Sequence, residues 1–485
     1  MSTSFGIILH VSSLPSKEPL GNLGRDALKY LDFLQRAGAS YWQILPIHPI
    51  DHVYSPYASS SAFAGEIRYI DINMLDDDEL KDQYQILMEK VSGSSQANYE
   101  LAYQLKMPIL KEYFLRRHKE SSPVLETFQK DHPWAWDYCL YEALKIQFGG
   151  KPWLLWPEGI RTRDPHSLDF YGKLLSEDIR FFLFTQYLFF SQWKNLKKEA
   201  KKRNIEIVGD IPMYVPLDSV EVWCNPSLFS LDHTFHPHHV SGAPPDYFTP
   251  EGQKWNTPVY EWSNHAKDGY SWWKKRIAHA FRCFDVVRLD HFRGFESFWA
   301  VPPADEDARN GHWKRGPGMD FLHQLKKTFH DKKFIVEDLG DITPEVEWLK
   351  SEFGYPGMRV LQFAFDNDPS NPHLPGSVND HYVYYTGTHD NPPLPYWYAT
   401  LDDWGRQTVD KMMGTKDGTP VIDQLLEAVL NSNAAFAMIQ FQDLLELSPA
   451  NRMNRPGTIK NNWVYKADPD PDWKQLEDNI KKLRQ

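Results

Sequence analysis

A short apolar run ends in two opposite charges and a loop: Phe284-Asp285-Val286-Val287-Arg288-Leu289-Asp290-His291-Phe292-Arg293-Gly294. Residues two apart in a strand point to the same side, so Arg288 and Asp290 project together. Burial of such a pair often does not stabilise a protein. The run is either a strand end fixed by a structural ion pair or a strand end that carries a functional acid. Taken alone, it favours neither.

Seven other segments have similar strand character, and helix-like segments lie between most of them. The eight predicted strands are Phe5–Leu9, Tyr41–Leu45, Ile205–Pro212, Asp285–Leu289, Phe334–Glu337, Met358–Phe363, Tyr382–Thr386 and Ala437–Phe441. The helix predictions with apolar residues on one face include Arg25–Ala37, Asp178–Lys202, Asp320–His330, Thr343–Glu352 and Asp423–Leu430. Eight strands with interleaved helices predict an α/β fold, the (β/α)8 TIM barrel, which needs about 250 residues.

The remaining length is predicted to lie in insertions of that barrel. We interpret residues 1–485 as one catalytic barrel. Residues from about 66 to 175, after the second strand, have a mainly helical pattern. Residues from about 213 to 275, after the third strand, are rich in aromatic residues and proline and show little periodicity. A structureless loop of that length is uncommon, so we expect a functional segment or a small subdomain there.

Composition limits the partners and the cellular setting. The net charge of −12 at pH 7 argues against a nucleic acid or an anionic membrane as a partner. No run reaches the length of a transmembrane helix, and strand character begins at Phe5, which leaves no room for a signal peptide. Three cysteines, Cys139, Cys224 and Cys283, lack C-x-x-C spacing. We therefore expect a reduced, cytoplasmic protein.

Aromatic residues are unusually frequent, with 18 Trp, 24 Tyr and 28 Phe. Trp and Tyr combine a large apolar face with a polar tip, which suits them to amphipathic ligands. Sugar rings are ligands of this kind, because their C–H faces are apolar and their edges carry hydroxyls. An aromatic-rich core would give the same composition, so the counts leave both interpretations open.

Four carboxylates occur at the ends of predicted strands or just after them: Asp210, Asp290, Glu337 and Asp390. In barrel enzymes the carboxyl ends of the strands meet at one active-site mouth. Four acids on one rim repel each other and shift each other's pKa, which catalysis uses and structure rarely needs. Two carboxylates beside a scissile bond are what glycoside chemistry requires, and a third can stabilise its positively charged transition state. The acids favour a catalytic site.

The same strand ends resemble the four motifs of the α-amylase superfamily: Gly209-Asp210-Ile211-Pro212, Arg288-Leu289-Asp290, Val336-Glu337-Asp338-Leu339-Gly340 and Thr388-His389-Asp390-Asn391. A narrower resemblance is to the 4-α-glucanotransferases called amylomaltase or disproportionating enzyme, glycoside hydrolase family 77. It is carried by Arg288-Leu289-Asp290-His291-Phe292-Arg293-Gly294-Phe295, Ser55-Pro56-Tyr57, Ser61-Ala62-Phe63-Ala64-Gly65, Pro244-Pro245-Asp246-Tyr247-Phe248, Gly252-Gln253-Lys254-Trp255 and Arg452-Met453-Asn454. These motifs span nearly the whole chain.

The resemblance implies a role for each acid of the site. Asp290 would be the nucleophile that forms a covalent glycosyl-enzyme. Glu337 would protonate the leaving 4-oxygen and later deprotonate the incoming 4-hydroxyl, which favours a raised pKa for Glu337 in the free enzyme. Asp390 would bind donor-sugar hydroxyls and stabilise the distorted ring. Arg288 would keep Asp290 ionised through a charge-assisted hydrogen bond, and His389 would bind the donor sugar.

The resemblance also implies how sugar binds and how water is held off. The further substrate-binding candidates are Ser55, Tyr57, Asp210, Tyr247, Trp255 and Asn391. Transfer requires an acceptor sugar to arrive before water, and the segment from Tyr247 to Trp262 is the expected lid; a rigid structural cover is the alternative. The chain departs from the family pattern at two places. It has Trp255-Asn256-Thr257-Pro258 where the family often has Trp-Gly-Asn-Pro, and Asn461-Asn462-Trp463 followed by Tyr465-Lys466 where Gly-Asn-Trp followed by Trp-Arg is usual.

We therefore expect a retaining 4-α-glucanotransferase that moves α-1,4-glucan segments between maltooligosaccharides. The alternatives are an α-glucan hydrolase of the same superfamily and a non-catalytic glucan-binding protein. We expect no cofactor and no metal, since the loop histidines His233, His236, His238 and His239 lack the spacing of zinc ligands. The expected partners are maltooligosaccharides and α-1,4-glucans, and the expected assembly is a monomer or a weak homodimer.

Overall fold

Two β-sheets organise the computed structural model, which describes residues 3–51, 53–91, 96–117, 122–246, 249–414, 418–445, 448 and 451–484. In these residues the strands are β1 Phe5–Ile8, β2 Tyr41–Gln43, β3 Glu206–Ile211, β4 Val240–Ala243, β5 Gln253–Pro258, β6 Val286–Leu289, β7 Ser297–Val301, β8 His312–Arg315, β9 Lys333–Val336, β10 Gly357–Val360, β11 Tyr382–Tyr385 and β12 Phe436–Gln440.

The α-helices of the same residues connect these strands or extend the chain between them. They are α1 Arg25–Ala37, α2 Asp78–Glu89, α3 Tyr99–Arg117, α4 Ser122–Asp131, α5 Ala135–Gln147, α6 Glu158–Arg161, α7 Pro165–Leu174, α8 Ser176–Lys202, α9 Val220–Cys224, α10 Trp262–Lys267, α11 Ser271–Cys283, α12 Gly318–Thr328, α13 Pro344–Phe353, α14 Leu394–Thr400, α15 Asp403–Met413, α16 Val421–Leu430 and α17 Trp473–Leu483.

The larger sheet has eight strands in the order β10-β11-β12-β1-β2-β3-β6-β9. Every neighbouring pair is parallel. Its two edge strands, β9 and β10, approach each other closely enough for the Val336 N–H to donate to the Pro356 carbonyl oxygen at 3.0 Å. The sheet therefore nearly closes on itself, and the predicted (β/α)8 barrel is confirmed.

All eight barrel strands lie where the sequence predicts them, shifted by only a few residues at their ends. Their residues are almost all buried, which is usual for parallel strands covered on both faces. Helix α1 has the predicted bounds and ends at Gly38, whose φ of 80° is a left-handed conformation that glycine adopts without steric cost.

Helices α2 to α8 lie between β2 and β3 along the chain. The last of them, α8, packs against the loop that follows β2. There the Gln186 side chain forms two hydrogen bonds with the backbone of Gly65, at 2.8 and 2.9 Å. A Cβ added at Gly65 would lie 2.1 Å from the ring of Phe189, so only glycine permits this close approach.

The smaller sheet was not predicted. It is antiparallel, with the order β5-β4-β7-β8. Strands β4 and β5 belong to the aromatic, proline-rich segment after β3, and β7 and β8 form a hairpin after β6. Their sequences, such as Gln-Lys-Trp-Asn-Thr-Pro in β5, do not alternate between apolar and polar residues, so the period-two signal of a strand is missing.

Across the described residues, no helix has both the length and the apolar character needed to cross a membrane.

Candidate active site

The interior of the barrel is filled by one row of side chains from each contributing strand. Its members, from seven of the eight strands, pack as one buried cluster: Ile8, Val208, Val286, Ile335, Met358, Val360, Val383, Tyr385, Phe436 and Met438. Side chains alternate along a strand. The inward-facing row therefore continues from Val208 to Asp210 in β3, from Val286 through Arg288 to Asp290 at β6, and from Ile335 to Glu337 at β9. The sequence places these charges at the barrel mouth.

Arg288 joins two of the acids. Its Nη1 lies 2.9 and 2.7 Å from the two carboxylate oxygens of Asp210 and 2.8 Å from Oδ1 of Asp290. The Tyr57 hydroxyl donates to Asp210 Oδ2 at 2.6 Å. The side chains of Arg288 and Asp210 are 5% and 1% exposed, whereas that of Asp290 is 25% exposed. Asp290 is thus the acid of this group that a ligand can reach, and Asp210 holds the guanidinium beside it.

Glu337 is held by main-chain donors. The N–H of His291 donates to Oε2 at 2.8 Å, and the N–H of Leu339 donates to Oε1 at 2.9 Å. His291 adopts a φ of 48°, a left-handed conformation that turns its N–H towards Glu337. Burial raises the pKa of Glu337 to about 7; Arg288 opposes this shift and Asp290 adds to it. The raised pKa expected for Glu337 is confirmed.

Asp390 lies in the loop after β11 and has a side chain that is 44% exposed. The Asn454 amide donates to its Oδ1 at 2.6 Å, and Arg452 donates to its backbone carbonyl at 2.6 Å. The His389 Nε2 lies 3.4 Å from the same Oδ1. Asn454 and Arg452 therefore hold the loop in place, while the Asp390 carboxylate stays accessible to a ligand.

Three aromatic rings link Asp390 to the other acids. The rings of Tyr57 and His389 stack at 5.1 Å with 20° between their planes, and the ring of Trp463 lies 5.8 Å from each of them. Because the Tyr57 hydroxyl bonds Asp210, this side chain connects Asp210 with His389, the neighbour of Asp390. Tyr57 and His389 therefore lie together at the barrel mouth, as the resemblance implies.

Two other candidate residues shape loops with their side chains. Ser55 Oγ accepts a hydrogen bond from the N–H of Tyr57 at 3.3 Å. Asn391 Oδ1 accepts from the N–H of Thr388 at 2.9 Å and from its hydroxyl at 3.0 Å. Ser55 and Asn391 therefore position Tyr57 and the loop that carries Asp390.

Strand β5 brings the expected lid to the acids. The ring of Trp255 packs edge-on against that of His291, with 4.9 Å between centroids, so this candidate lies beside the residue that follows Asp290. The neighbouring Lys254 Nζ donates to the carbonyls of Pro303 and Asp305 at 2.8 and 2.5 Å. The lid candidate Tyr247 lies outside the described residues.

Sequence reasoning left three functional residues without a role: His291, Arg452 and Asn454. His291 stands directly after Asp290, but its contribution is a main-chain N–H, which side-chain patterns do not reveal. Arg452 and Asn454 were available in the motif Arg452-Met453-Asn454. Among the described residues, no group of three or more His, Cys, Asp or Glu side chains is arranged to hold a metal ion.

Comparison with known proteins gives the family. A model of the 4-alpha-glucanotransferase family matches residues 9–470. The chain belongs to the 4-alpha-glucanotransferase family. The predicted family and enzyme class are confirmed.

Individual 4-alpha-glucanotransferases are similar over their full lengths. That of Aquifex aeolicus is 42% identical over 482 residues, which are 99% of this chain and 98% of the relative. That of Clostridium butyricum is 38% identical over 486 residues, 98% of each. A solved structure of amylomaltase from Streptococcus agalactiae in complex with acarbose has a TM-score of 0.94 at 31% identity, covering 99% of this chain and 98% of that one.

Two of the departures from the 4-alpha-glucanotransferase pattern share a backbone geometry. Asn256 and Asn461, which stand where the family often has glycine, have φ values of 59° and 61°. Asparagine is among the residues that best tolerate the left-handed region. Both loops therefore keep a conformation that glycine also adopts, with asparagine supplying it in this chain.

Proposed function

We propose that this chain transfers α-1,4-glucan segments between maltooligosaccharides with retention of configuration, through a covalent glycosyl-Asp290 intermediate. The observation that carries the proposal is the contrast between two carboxylates at one barrel mouth. Asp290 is accessible and bonded to Arg288 at 2.8 Å, whereas burial raises the pKa of Glu337 to about 7. An accessible carboxylate paired with a cation and a buried acid that keeps its proton are the two groups that a retaining mechanism needs.

In the first step, Asp290 attacks the anomeric carbon of the donor sugar. The glycosidic bond breaks as Glu337 gives its proton to the leaving 4-oxygen, so the leaving glucan departs with a free 4-hydroxyl. Glu337 is then an ionised carboxylate and can act as the base of the second step. An acceptor 4-hydroxyl loses its proton to Glu337 and attacks the same carbon, which frees the Asp290 carboxylate, returns Glu337 to its protonated form and makes a new α-1,4 bond.

Asp390, His389 and Tyr57 hold the donor sugar in this scheme. Asp390 is the most exposed of these groups, and its loop is fixed by Asn454 and Arg452. A carboxylate held in this way can accept hydrogen bonds from sugar hydroxyls without first having to be ordered, and its charge favours the oxocarbenium-like transition state. The Tyr57 and His389 rings give the sugar a rigid aromatic wall.

The segment that carries Trp255 is assigned the role of making the covalent intermediate react with a sugar acceptor rather than with water. A covalent intermediate is hydrolysed unless its surroundings exclude water until an acceptor binds. We assign this role to a lid within the insertion at about 213–275. In this proposal the chain is a single catalytic barrel with two insertions, that one and the mainly helical one at about 66–175.

Free thiols at Cys139, Cys224 and Cys283 support a reducing, cytoplasmic setting.

Maltotriose separates transfer from hydrolysis. A transferase releases glucose together with maltopentaose and longer products, because a maltosyl unit moves to another maltotriose molecule. A hydrolase gives only glucose and maltose. Chromatography of the early products tests this directly, and a product set without longer oligosaccharides would contradict the proposal.

The Asp290→Asn variant separates an enzyme from a glucan-binding protein. We expect turnover of maltotriose to be lost and binding of acarbose, the ligand of the Streptococcus agalactiae relative, to persist in calorimetry. Asp285→Asn is the control. Asp285 lies at the amino end of β6, opposite to the end that carries Asp290, and forms a 3.2 Å ion pair with Lys197. Full activity of Asp290→Asn would contradict the proposed nucleophile.

A further inference from the structure

The barrel has one place where its sheet is not continuous. Strands β9 and β10 are the two edges of the eight-stranded order. Beside the bond from Val336 N–H to the Pro356 carbonyl, a side chain joins them: Asp338 Oδ1 accepts from the N–H of Met358 at 2.6 Å. A carboxylate thus bonds a main-chain donor of the edge strand. Asp338 directly follows Glu337, so this junction lies one residue from the proposed acid.

The carboxylate of Asp338 is fully enclosed, with no exposed side-chain area. Lys350, from helix α13, places Nζ 2.6 Å from its Oδ2, and the Arg359 Nη1 lies 3.6 Å from the same oxygen. At Gly357 an added Cβ would lie 2.4 Å from Oδ2, so glycine is needed for the approach. A buried carboxylate is tolerated only with such pairing.

The junction also reaches the other side of the site. Met358, whose N–H bonds Asp338, has its Sδ 3.4 Å from the Nε of Arg288. Arg288 in turn bonds Asp290. Displacement of β10 would therefore shift Glu337 through its neighbour Asp338, and Asp290 through Arg288.

We propose that Asp338, paired with Lys350, is a positioning residue that completes the barrel between β9 and β10 and sets the place and the protonation of Glu337. The proposal rests on the proposed role of Glu337 as the acid. Neighbouring residues of a strand point to opposite faces, so Glu337 faces the barrel mouth while Asp338 faces α13.

The charges around Glu337 and Asp338 determine the direction in which Asp338 shifts the pKa of Glu337. Arg288 favours the ionised form of Glu337, whereas Asp290 and Asp338 disfavour it and raise its pKa. Asp338 itself faces Lys350 and Arg359. On the solvent side, Lys350 also pairs with Glu347 at 2.7 Å and lies 3.4 Å from the Tyr382 hydroxyl.

Opposite pH shifts follow from the two single variants. Asp338→Asn removes a negative charge beside Glu337, so its pKa falls and the alkaline limb of kcat/KM moves to lower pH. Lys350→Met removes the nearer of the two cations beside Asp338, so the limb moves to higher pH. In both variants kcat falls, by up to about 100-fold, because the acid is displaced. The measurement is kcat/KM for maltotriose against pH, which reports groups of the free enzyme.

A matched control and a double variant complete the test. Glu347→Gln removes a charge from the exposed side of Lys350, where water screens it, and should leave the limb in place. Asp338→Asn/Lys350→Met removes both buried charges, so its limb should return close to that of the wild type while kcat stays low. If a single variant does not fold, the double variant decides: a wild-type kcat in it overturns the proposal.

Limbs that do not move, or that move in the same direction in both single variants, would also overturn the proposal and indicate a purely structural pair. The Glu337→Gln variant separates this failure from that of the proposed function. If Glu337→Gln is inactive on maltotriose while the limbs stay in place, only the role of Asp338 is wrong. If Glu337→Gln keeps full activity, the proposed acid is wrong as well.

Discussion

At the scale of single residues, Asp290 and Glu337 are the same kind of acid in different surroundings. Asp290 receives a hydrogen bond from a guanidinium and is partly open to solvent. Glu337 accepts hydrogen bonds from two main-chain N–H groups, and burial is the largest cause of its raised pKa. The division of labour that we propose, with Asp290 as nucleophile and Glu337 as acid, therefore follows from their neighbours and from burial.

The first prediction concerns pH. The pKa of Glu337 is raised above its ordinary value to about 7, so the protonated acid is present below that pH and is lost above it. We expect kcat/KM for maltotriose to fall about tenfold per pH unit on the alkaline side, beginning near pH 7. A limb at the pKa of an ordinary glutamate, well on the acid side, would contradict the role given to Glu337.

The acids of the site could be predicted from the sequence because strand alternation is local. Asp210, Asp290 and Glu337, like Arg288 between them, each stand two residues beyond an inward-facing residue, and parallel strands bring their ends together. Asn454 could not be placed in this way. It bonds Asp390 across 64 residues of sequence, and a contact between two loops produces no periodic pattern in the sequence.

At the scale of elements, β5 connects the smaller sheet to the active site. Trp255 faces His291, and the next residue, Asn256, takes the left-handed conformation. Lys254 ties the strand to the loop after β7 through two carbonyls. This sheet escaped prediction because β5 and β8 are mostly polar and lack alternation, whereas the barrel strands are mostly apolar.

The second prediction concerns this connection. In Lys254→Met, β5 loses both hydrogen bonds from the lysine, so Trp255 is held less firmly against His291. We expect the share of hydrolysis among the products of maltotriose to rise severalfold while the total rate of bond cleavage changes less.

Lys267→Met is the matched control, since Lys267 lies at an exposed site and donates to the Asn264 side chain at 2.7 Å. An unchanged ratio of transfer to hydrolysis in Lys254→Met would contradict a lid that depends on β5.

At the scale of the whole molecule, the barrel and the helices between β2 and β3 meet at Gly65. The backbone of this residue exchanges two hydrogen bonds with Gln186 of α8, and the Phe189 ring fills the space where a side chain would be. The motif Ser61-Ala62-Phe63-Ala64-Gly65, read in the sequence as a family signature, thus has a packing function as well.

The third prediction tests that contact. Gly65→Ala forces Phe189 or the loop to move, and overpacking of this kind costs about 1–3 kcal/mol of unfolding free energy. Denaturant unfolding measures the loss. Gly376→Ala is the control, since an added Cβ there meets no atom within 4 Å, and it should be neutral or slightly stabilising. Equal stability of the two variants would contradict tight packing of α8 on this loop.

The proposed intermediate can be trapped on the acid itself. A glycosyl fluoride such as α-maltotriosyl fluoride has a leaving group that needs no proton, so Glu337→Gln should still form the intermediate and then fail to pass it on for lack of a base. Mass spectrometry of the digested protein should find one maltotriosyl group on the peptide that contains Asp290. A glycosyl group on another residue, or none under conditions where fluoride is released, would contradict the proposed mechanism.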